Sequence, residues 1–202
     1  YINRYMYKVG ITGGIGSGKS TVCAMLEEMG VAVYNSDARA KELMTTSATL
    51  REAIVARFGA ECYTSEGLNR GYLAERVFGD AAELAALNSL VHPAVMADFE
   101  AWAERQEGSY VVFESAILFE AGLEQRVDMA VAVLSPEELR IERAMRRDGA
   151  TEEQIRERMR NQLSDEERCD RSTFAIVNIE LDDLEDDVEQ LHRRLSYDSQ
   201  PR

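Results

Sequence analysis

Residues 13–21, Gly13-Gly14-Ile15-Gly16-Ser17-Gly18-Lys19-Ser20-Thr21, combine the residue types that hold a triphosphate. The first eight fit G-x-x-x-x-G-K-[ST] without a mismatch. Glycines let such a loop bend so that successive N–H groups point inward at the start of a helix, where the helix dipole also favours negative charge. Lys19 is placed to reach the β- and γ-phosphates as a point charge, and the Ser20 hydroxyl is a ligand for Mg²⁺. The expected ligands are therefore a nucleoside triphosphate and Mg²⁺.

The flanks supply what the loop needs. Residues 7–12 read as a short buried strand and 21–29 as a helix. A second strand over 31–34 ends in Asn35-Ser36-Asp37, which reads as a helix cap. Asp37 thus falls at the carboxyl end of a strand, where ligands bind in open α/β sheets, and position alone leaves capping and function open.

Between 48 and 106 no convincing strand is read. Helices are expected over 49–58 and 72–78, with a loop at 66–71 between them. Asp80 caps a longer helical stretch whose apolar face holds Leu84, Leu87, Leu90 and Val91. His92-Pro93 should interrupt it before it resumes to 106. So much helix between two strands suggests an inserted subdomain for a second substrate. His92 by itself suits a structural role as well as a chemical one.

Strands follow at 110–113, 128–134 and 174–177, with an acidic amphipathic helix over 181–195. An acid after the 110–113 strand resembles a Mg²⁺-holding position, with Glu114 and Glu120 as competing candidates. Ser135, Thr151 and Ser164 each start a capping-box pattern. Residues 140–171 hold nine arginines and nine acids in a chain of formal net charge −14. Arg140, Arg143 and Arg147 should share one helix face, and Arg156 and Arg160 another. Such runs are ordinarily solvated surface, yet phosphoryl transfer needs cations around the transferred group, which favours a mobile arginine lid. The whole pattern is α/β with a mostly parallel sheet.

The composition narrows the partners. A net charge of −14 argues against nucleic acid. No apolar run approaches the ~20 residues of a membrane span. The N-terminus lacks signal-peptide features, and Met6 could equally be the natural start. Cys23, Cys62 and Cys169 lie far apart, which favours reduced thiols in a cytoplasm. A monomer or weak homo-oligomer acting on a small molecule is expected.

From Tyr7 to Leu195 the chain resembles the dephospho-coenzyme A kinases. The resemblance rests on TGGIGSGKST at 12–21, Asp37, LNSLVHP at 87–93, ESAILFE at 114–120, and Arg147-Asp148. Arg158, Gln162 and Asn178 also fall at the family's spacing. It implies a three-layer fold with a five-stranded parallel sheet and transfer of the ATP γ-phosphate to the ribose 3′-hydroxyl of dephospho-coenzyme A. On this view the core is 7–47, 108–138 and 172–195, the acceptor-binding insert 48–107, and the lid 139–171. Asp37 becomes the base or orienter of the hydroxyl, and Lys19, Arg143 and Arg147 act at the phosphates. Residues 13–21 and Asn178 hold the nucleotide. Asp37, Lys41, Asn88, His92 and Gln162 face the acceptor. Three positions depart from the family pattern: Asn35 and Val177 stand where acids are usual, and Lys41 stands where arginine is frequent, with Arg39 close by.

Two rivals follow from the same residues. Another small-molecule kinase would share everything but the acceptor, and the 87–93 segment argues against it. A guanine-nucleotide switch should carry N-K-x-D, and no Asn-Lys dipeptide occurs in the chain.

Overall fold

The computed structural model describes residues 5–77 and 79–199, and these fall into two compact units. One holds the residues up to Asn35 and those from Ala103 onward; the other is Ser36–Trp102.

The first unit is a five-stranded sheet, every neighbouring pair parallel. Its strands are β1 (Tyr7–Gly13), β2 (Ala32–Asn35), β5 (Tyr110–Glu114), β6 (Met129–Leu134) and β7 (Phe174–Val177), in the spatial order β2-β5-β1-β6-β7. A strand covered on both faces loses the usual alternation and reads as a continuous apolar run, as the VVF of β5 and the AVAV of β6 do. On one face Val9, Ile11, Val112, Val131, Val133 and Ile176 form a core with α1 (Lys19–Glu28) and α9 (Leu181–Asp198). α9 meets it through Leu184, Val188, Leu191 and Leu195, all 1% exposed or less, at helical spacing on an otherwise acidic helix.

After β6 come α6 (Glu137–Asp148), α7 (Glu152–Arg160) and α8 (Asp165–Arg171). Thr151 and Ser164 form the capping boxes expected of them. Ser135 does not. Pro136 takes the cap position without a side-chain bond, because the Ser135 hydroxyl is drawn away to donate to the Asn178 carbonyl at 2.7 Å. A small core of Ile141, Ala144 and Ile155 joins α6 to α7.

The second unit contains α2 (Ser36–Thr46), α3 (Ala48–Phe58), α4 (Arg70–Val77) and most of α5 (Ala81–Ala103). It therefore begins at Ser36, where the sequence reading began its insert at 48. The cause is that α2 packs on α3 and on a small hairpin, with the Tyr63 hydroxyl donating to the Met44 carbonyl at 2.7 Å. That hairpin, β3 (Tyr63–Thr64) with β4 (Gly67–Leu68), was not expected. Two residues per strand leave no alternation to read.

His92-Pro93 does not interrupt α5. An internal proline costs a helix about 3 kcal/mol. Leu87, Val91, Val95, Met96 and Phe99 straddle it as one buried stripe, and each fully buried apolar side chain returns about 1.5–3 kcal/mol. Leu84, expected on that stripe, is 46% exposed. Asp80 caps the helix as expected, accepting from the Ala82 and Glu83 N–H groups. Phe78, the expected end of α4, lies outside the described residues.

Candidate active site

β1 delivers the chain to the loop and α1 carries it away. Gly18 caps α1 in the left-handed conformation, φ 89° and ψ 18°, and no side chain hydrogen-bonds to the N–H groups of the helix's first turn as a cap. Gly18 has a second reason to be glycine: a Cβ would strike the Asn178 side-chain amide. At Gly14 a Cβ would run into the Arg140 guanidinium. Two buried hydroxyls at the loop, Thr12 and Ser17, have no hydrogen-bond partner among the described residues.

Glu114, at the end of β5, is 4% exposed. Its Oε1 takes the Lys19 ammonium and accepts from the Ser20 hydroxyl at 3.0 Å, while Oε2 accepts from the Asn35 amide at 2.7 Å. Lys19, Ser20 and Glu114 thus form one cluster, and it separates the two competing acids. Glu120 is engaged elsewhere, accepting from the Leu163 N–H at 3.3 Å and the Arg168 Nη2 at 3.2 Å. Asn35, read in the sequence within a helix cap and as a departure from the family pattern, donates to Glu114; an aspartate there would set two carboxylates together.

The expected shared face of α6 divides on inspection. Arg140 is 5% exposed, donates from Nε to the Ile15 carbonyl at 2.9 Å and pairs with Asp165 at 2.9 Å. Arg143 donates to Ser135 Oγ at 3.1 Å and to the Asn178 and Ile179 carbonyls at 3.3 and 3.1 Å. Asn178 in turn donates to the Ser17 carbonyl at 2.8 Å, so Arg143 braces a residue that holds the loop. Arg147 is exposed and pairs with Asp148 at 2.7 Å, as does Arg158 at 2.9 Å. Hydrogen bonding from Arg147, with Arg158 beside it, holds the Asp148 carboxyl below its ordinary range.

Arg156 pairs with Glu152 and Glu137, and Arg160 with Glu157, on exposed surface where such pairs contribute little. Arg168 is fully buried, donating to the Leu163 carbonyl at 2.6 Å and bridging Asp165 and Glu120. Sequence reasoning missed its role. A buried arginine has no local signature, although its place one turn after the Ser164 cap is visible in the sequence.

Gln162, expected on the acceptor side, has its amide oxygen taken by the Ile15 N–H at 3.0 Å. It also lines a cavity of about 670 Å³ together with Arg140, Arg156, Arg160, Leu163 and Asp165. Carboxylates from Glu137, Asp165 and Glu167 balance the cavity's three arginines.

The other candidates lie in the Ser36–Trp102 unit. Asp37 stands exposed in the first turn of α2, with Lys41 exposed one turn on. Arg39 grips Asp98 through Nε at 3.0 Å and Nη2 at 2.8 Å, and Glu42 through Nη1 at 2.7 Å. Asn88 and His92 are half-buried neighbours one turn apart on α5. Burial lowers the His92 pKa, so its neutral form dominates at neutral pH. Burial also pushes the Cys23 thiol, inside α1, far up and makes it unreactive.

Among the described residues no helix is long and apolar enough to cross a membrane. Among the same residues no group of three or more His, Cys, Asp or Glu could hold a metal by itself.

The family described as dephospho-CoA kinase matches residues 7–183. A dephospho-CoA kinase of Salinibacter ruber is 49% identical over 177 residues, 86% of this chain and 89% of the relative. The crystal structure of TT1252 from Thermus thermophilus is 35% identical, with a TM-score of 0.82 over 95% of this chain and 98% of that one. Shikimate kinase from Acinetobacter baumannii, 16% identical with a TM-score of 0.55 over 96% of each chain, shares the fold.

Proposed function

The chain belongs to the dephospho-CoA kinase family, and we propose how its residues divide the family's transfer of phosphate from ATP to the 3′-hydroxyl of dephospho-CoA. The observation that carries this reading is the Lys19–Ser20–Glu114 cluster at the N-terminus of α1, which has no side-chain cap. Gly13 to Thr21 hold the triphosphate through backbone N–H groups and the α1 dipole. Lys19 leaves Glu114 for the phosphates and neutralises charge developing on the transferred group.

The donor set fits Mg²⁺: a hydroxyl and a buried carboxylate oxygen 3.0 Å apart leave most of an octahedral shell to phosphate and water. Ser20 would ligate the ion and Glu114 would meet it directly or through water. Bound there, it supplies charge neutralisation across the phosphate oxygens.

Asp37 orients the acceptor hydroxyl and accepts its proton late in a loose transition state. Lys41, Asn88 and His92 bind the acceptor, His92 as a neutral donor or acceptor. Arg143 positions Asn178 beside the nucleotide, and Arg147 supplies a cation to the phosphates. Arg147 forks onto the Asp148 carboxylate at 2.7 and 3.1 Å with its guanidinium largely in solvent, where such a pair contributes little and can be exchanged for phosphate, which supports that assignment. The three free thiols suit a reducing cytoplasm.

The test is ADP release from Mg·ATP with dephospho-CoA, AMP, shikimate or pantothenate as acceptor. Stimulation by dephospho-CoA alone, with one phosphoryl group added by mass, is the expected result. Stimulation by shikimate or AMP instead would overturn the acceptor assignment.

A further inference from the structure

Ile15 is an unremarkable variable position in the phosphate-loop pattern, yet three separate contacts converge on it. Its N–H donates to Gln162 Oε1 at 3.0 Å, and its carbonyl accepts from Arg140 Nε at 2.9 Å. Its side chain packs against the core of Ile141, Ala144 and Ile155. Both polar groups of one loop residue, and its side chain, are therefore held by the helices of 139–171.

The grip is itself anchored. Gln162 follows α7, and its own N–H donates to the Met159 carbonyl at 3.0 Å. Arg140 is fixed by Asp165, which Arg168 also contacts at 3.3 Å, and Arg168 reaches Glu120 at 3.2 Å. Gly14 and Gly16 are the loop's side of the same fit. A Cβ at Gly14 would collide with the Arg140 guanidinium, and one at Gly16, where φ is 75°, with the Arg140 backbone. Residues 14–16 lie flush against Arg140 along their length.

We propose that Gln162 and Arg140 are positioning residues that clamp the Ile15 peptide and so set the phosphate loop in its triphosphate-binding shape. Helices α6 and α7 then act on ATP through the loop backbone as well as through any arginine that reaches the phosphates. In this role Gln162 acts on the nucleotide rather than on the acceptor. The inference does not depend on the acceptor's identity.

The experiment compares Gln162→Met, which keeps the length and removes the acceptor oxygen, with Gln162→Glu, which keeps an oxygen for the Ile15 N–H. Two quantities are read in the full-length chain: amide hydrogen exchange at Ile15 without ligand, and the KM values for Mg·ATP and dephospho-CoA beside kcat. In the Met variant Ile15 exchange should accelerate and the KM for Mg·ATP rise, each by up to about tenfold, as loss of one hydrogen bond warrants. The KM for dephospho-CoA should stay put. The Glu variant should keep Ile15 protected. A raised KM for dephospho-CoA with unchanged ATP KM and unchanged Ile15 exchange would overturn the proposal and return Gln162 to the acceptor. Unchanged values throughout would overturn it too. Should the Met variant fail to fold, Gln162→Asn, one methylene short of the Ile15 N–H, reads the same exchange.

Discussion

Around the phosphate loop, Lys19, Ser20, Asn35, Glu114, Arg140, Arg143, Gln162 and Asn178 all have hydrogen-bonded or ionic partners within their own compact unit. In the Ser36–Trp102 unit the candidates on α2, Asp37 and Lys41, stand exposed, and a two-point polar tie, the Arg39–Asp98 fork, joins α2 to α5. One region has its dipoles fixed before a substrate arrives; the other uses its best guanidinium to hold helices together. Catalysis by preorganised electrostatics asks for the first arrangement where charge develops, at the transferred phosphoryl group. The role proposed for Asp37 asks for less, since the carboxylate would have one proton to receive.

The sharpest way to break this contrast is Lys19→Met. It removes the loop's cation and leaves Glu114 buried without its ion-pair partner, so kcat should fall by about 10³-fold and the thermal midpoint should drop as well. A loss of less than tenfold would mean the cluster is not the phosphoryl-transfer site. Next in size, Asp37→Asn should lower kcat by about 10²- to 10³-fold while equilibrium binding of ATP stays unchanged. Near-normal turnover would remove Asp37 from the mechanism.

Arg168→Met tests the scaffold beneath the loop. Breaking a buried pair by removing one partner costs about 3 kcal/mol, to be read from urea unfolding. A change within error would mean that Glu120 and Asp165 find other partners. Thr151→Ala, which removes a capping box at the surface of α7, should cost about 1 kcal/mol by the same measurement.

The smallest effect concerns pH. His92 has its pKa lowered by burial, so between that value and the ordinary 6.5 the unfolded chain binds more protons than the folded one. The resulting stability is complete above 6.5 and is lost as pH falls through the lowered value. His92→Gln should flatten the slope of unfolding free energy as pH falls below the ordinary 6.5. An unaltered slope would show that other groups set it.

Much of this was legible in the chain. The loop, the five strands of the sheet and the Thr151 and Ser164 boxes stand in the sequence, because each depends on neighbours a few residues away. What could not be read depends on distant partners. Ser135 looks like a cap until the Asn178 carbonyl, 43 residues on, takes its hydroxyl. Arg140 and Arg168 look like their solvated neighbours until the Ile15 and Leu163 carbonyls bury them. Proline in α5 reads as a break because the strength of a buried stripe is a tertiary quantity. Glu114 ends the strand that Glu120 follows, and only the fold sends one to Lys19 and the other to Arg168.

The order of strands also bears on how the chain comes to be folded as it leaves the ribosome. β1 lies at the centre of the sheet, yet neither of its neighbours is its successor: β5 and β6 arrive roughly a hundred residues later. At a synthesis rate of about 5–20 residues per second, β1 waits for many seconds with both edges unpaired. Those edges are a template for any other extended segment nearby. The helices of Ser36–Trp102 emerge during that interval and can collapse on local contacts, but they cannot close the sheet. Slowing translation between residues 36 and 110 should therefore lower the soluble yield, while a chaperone that shields nascent strands should restore it.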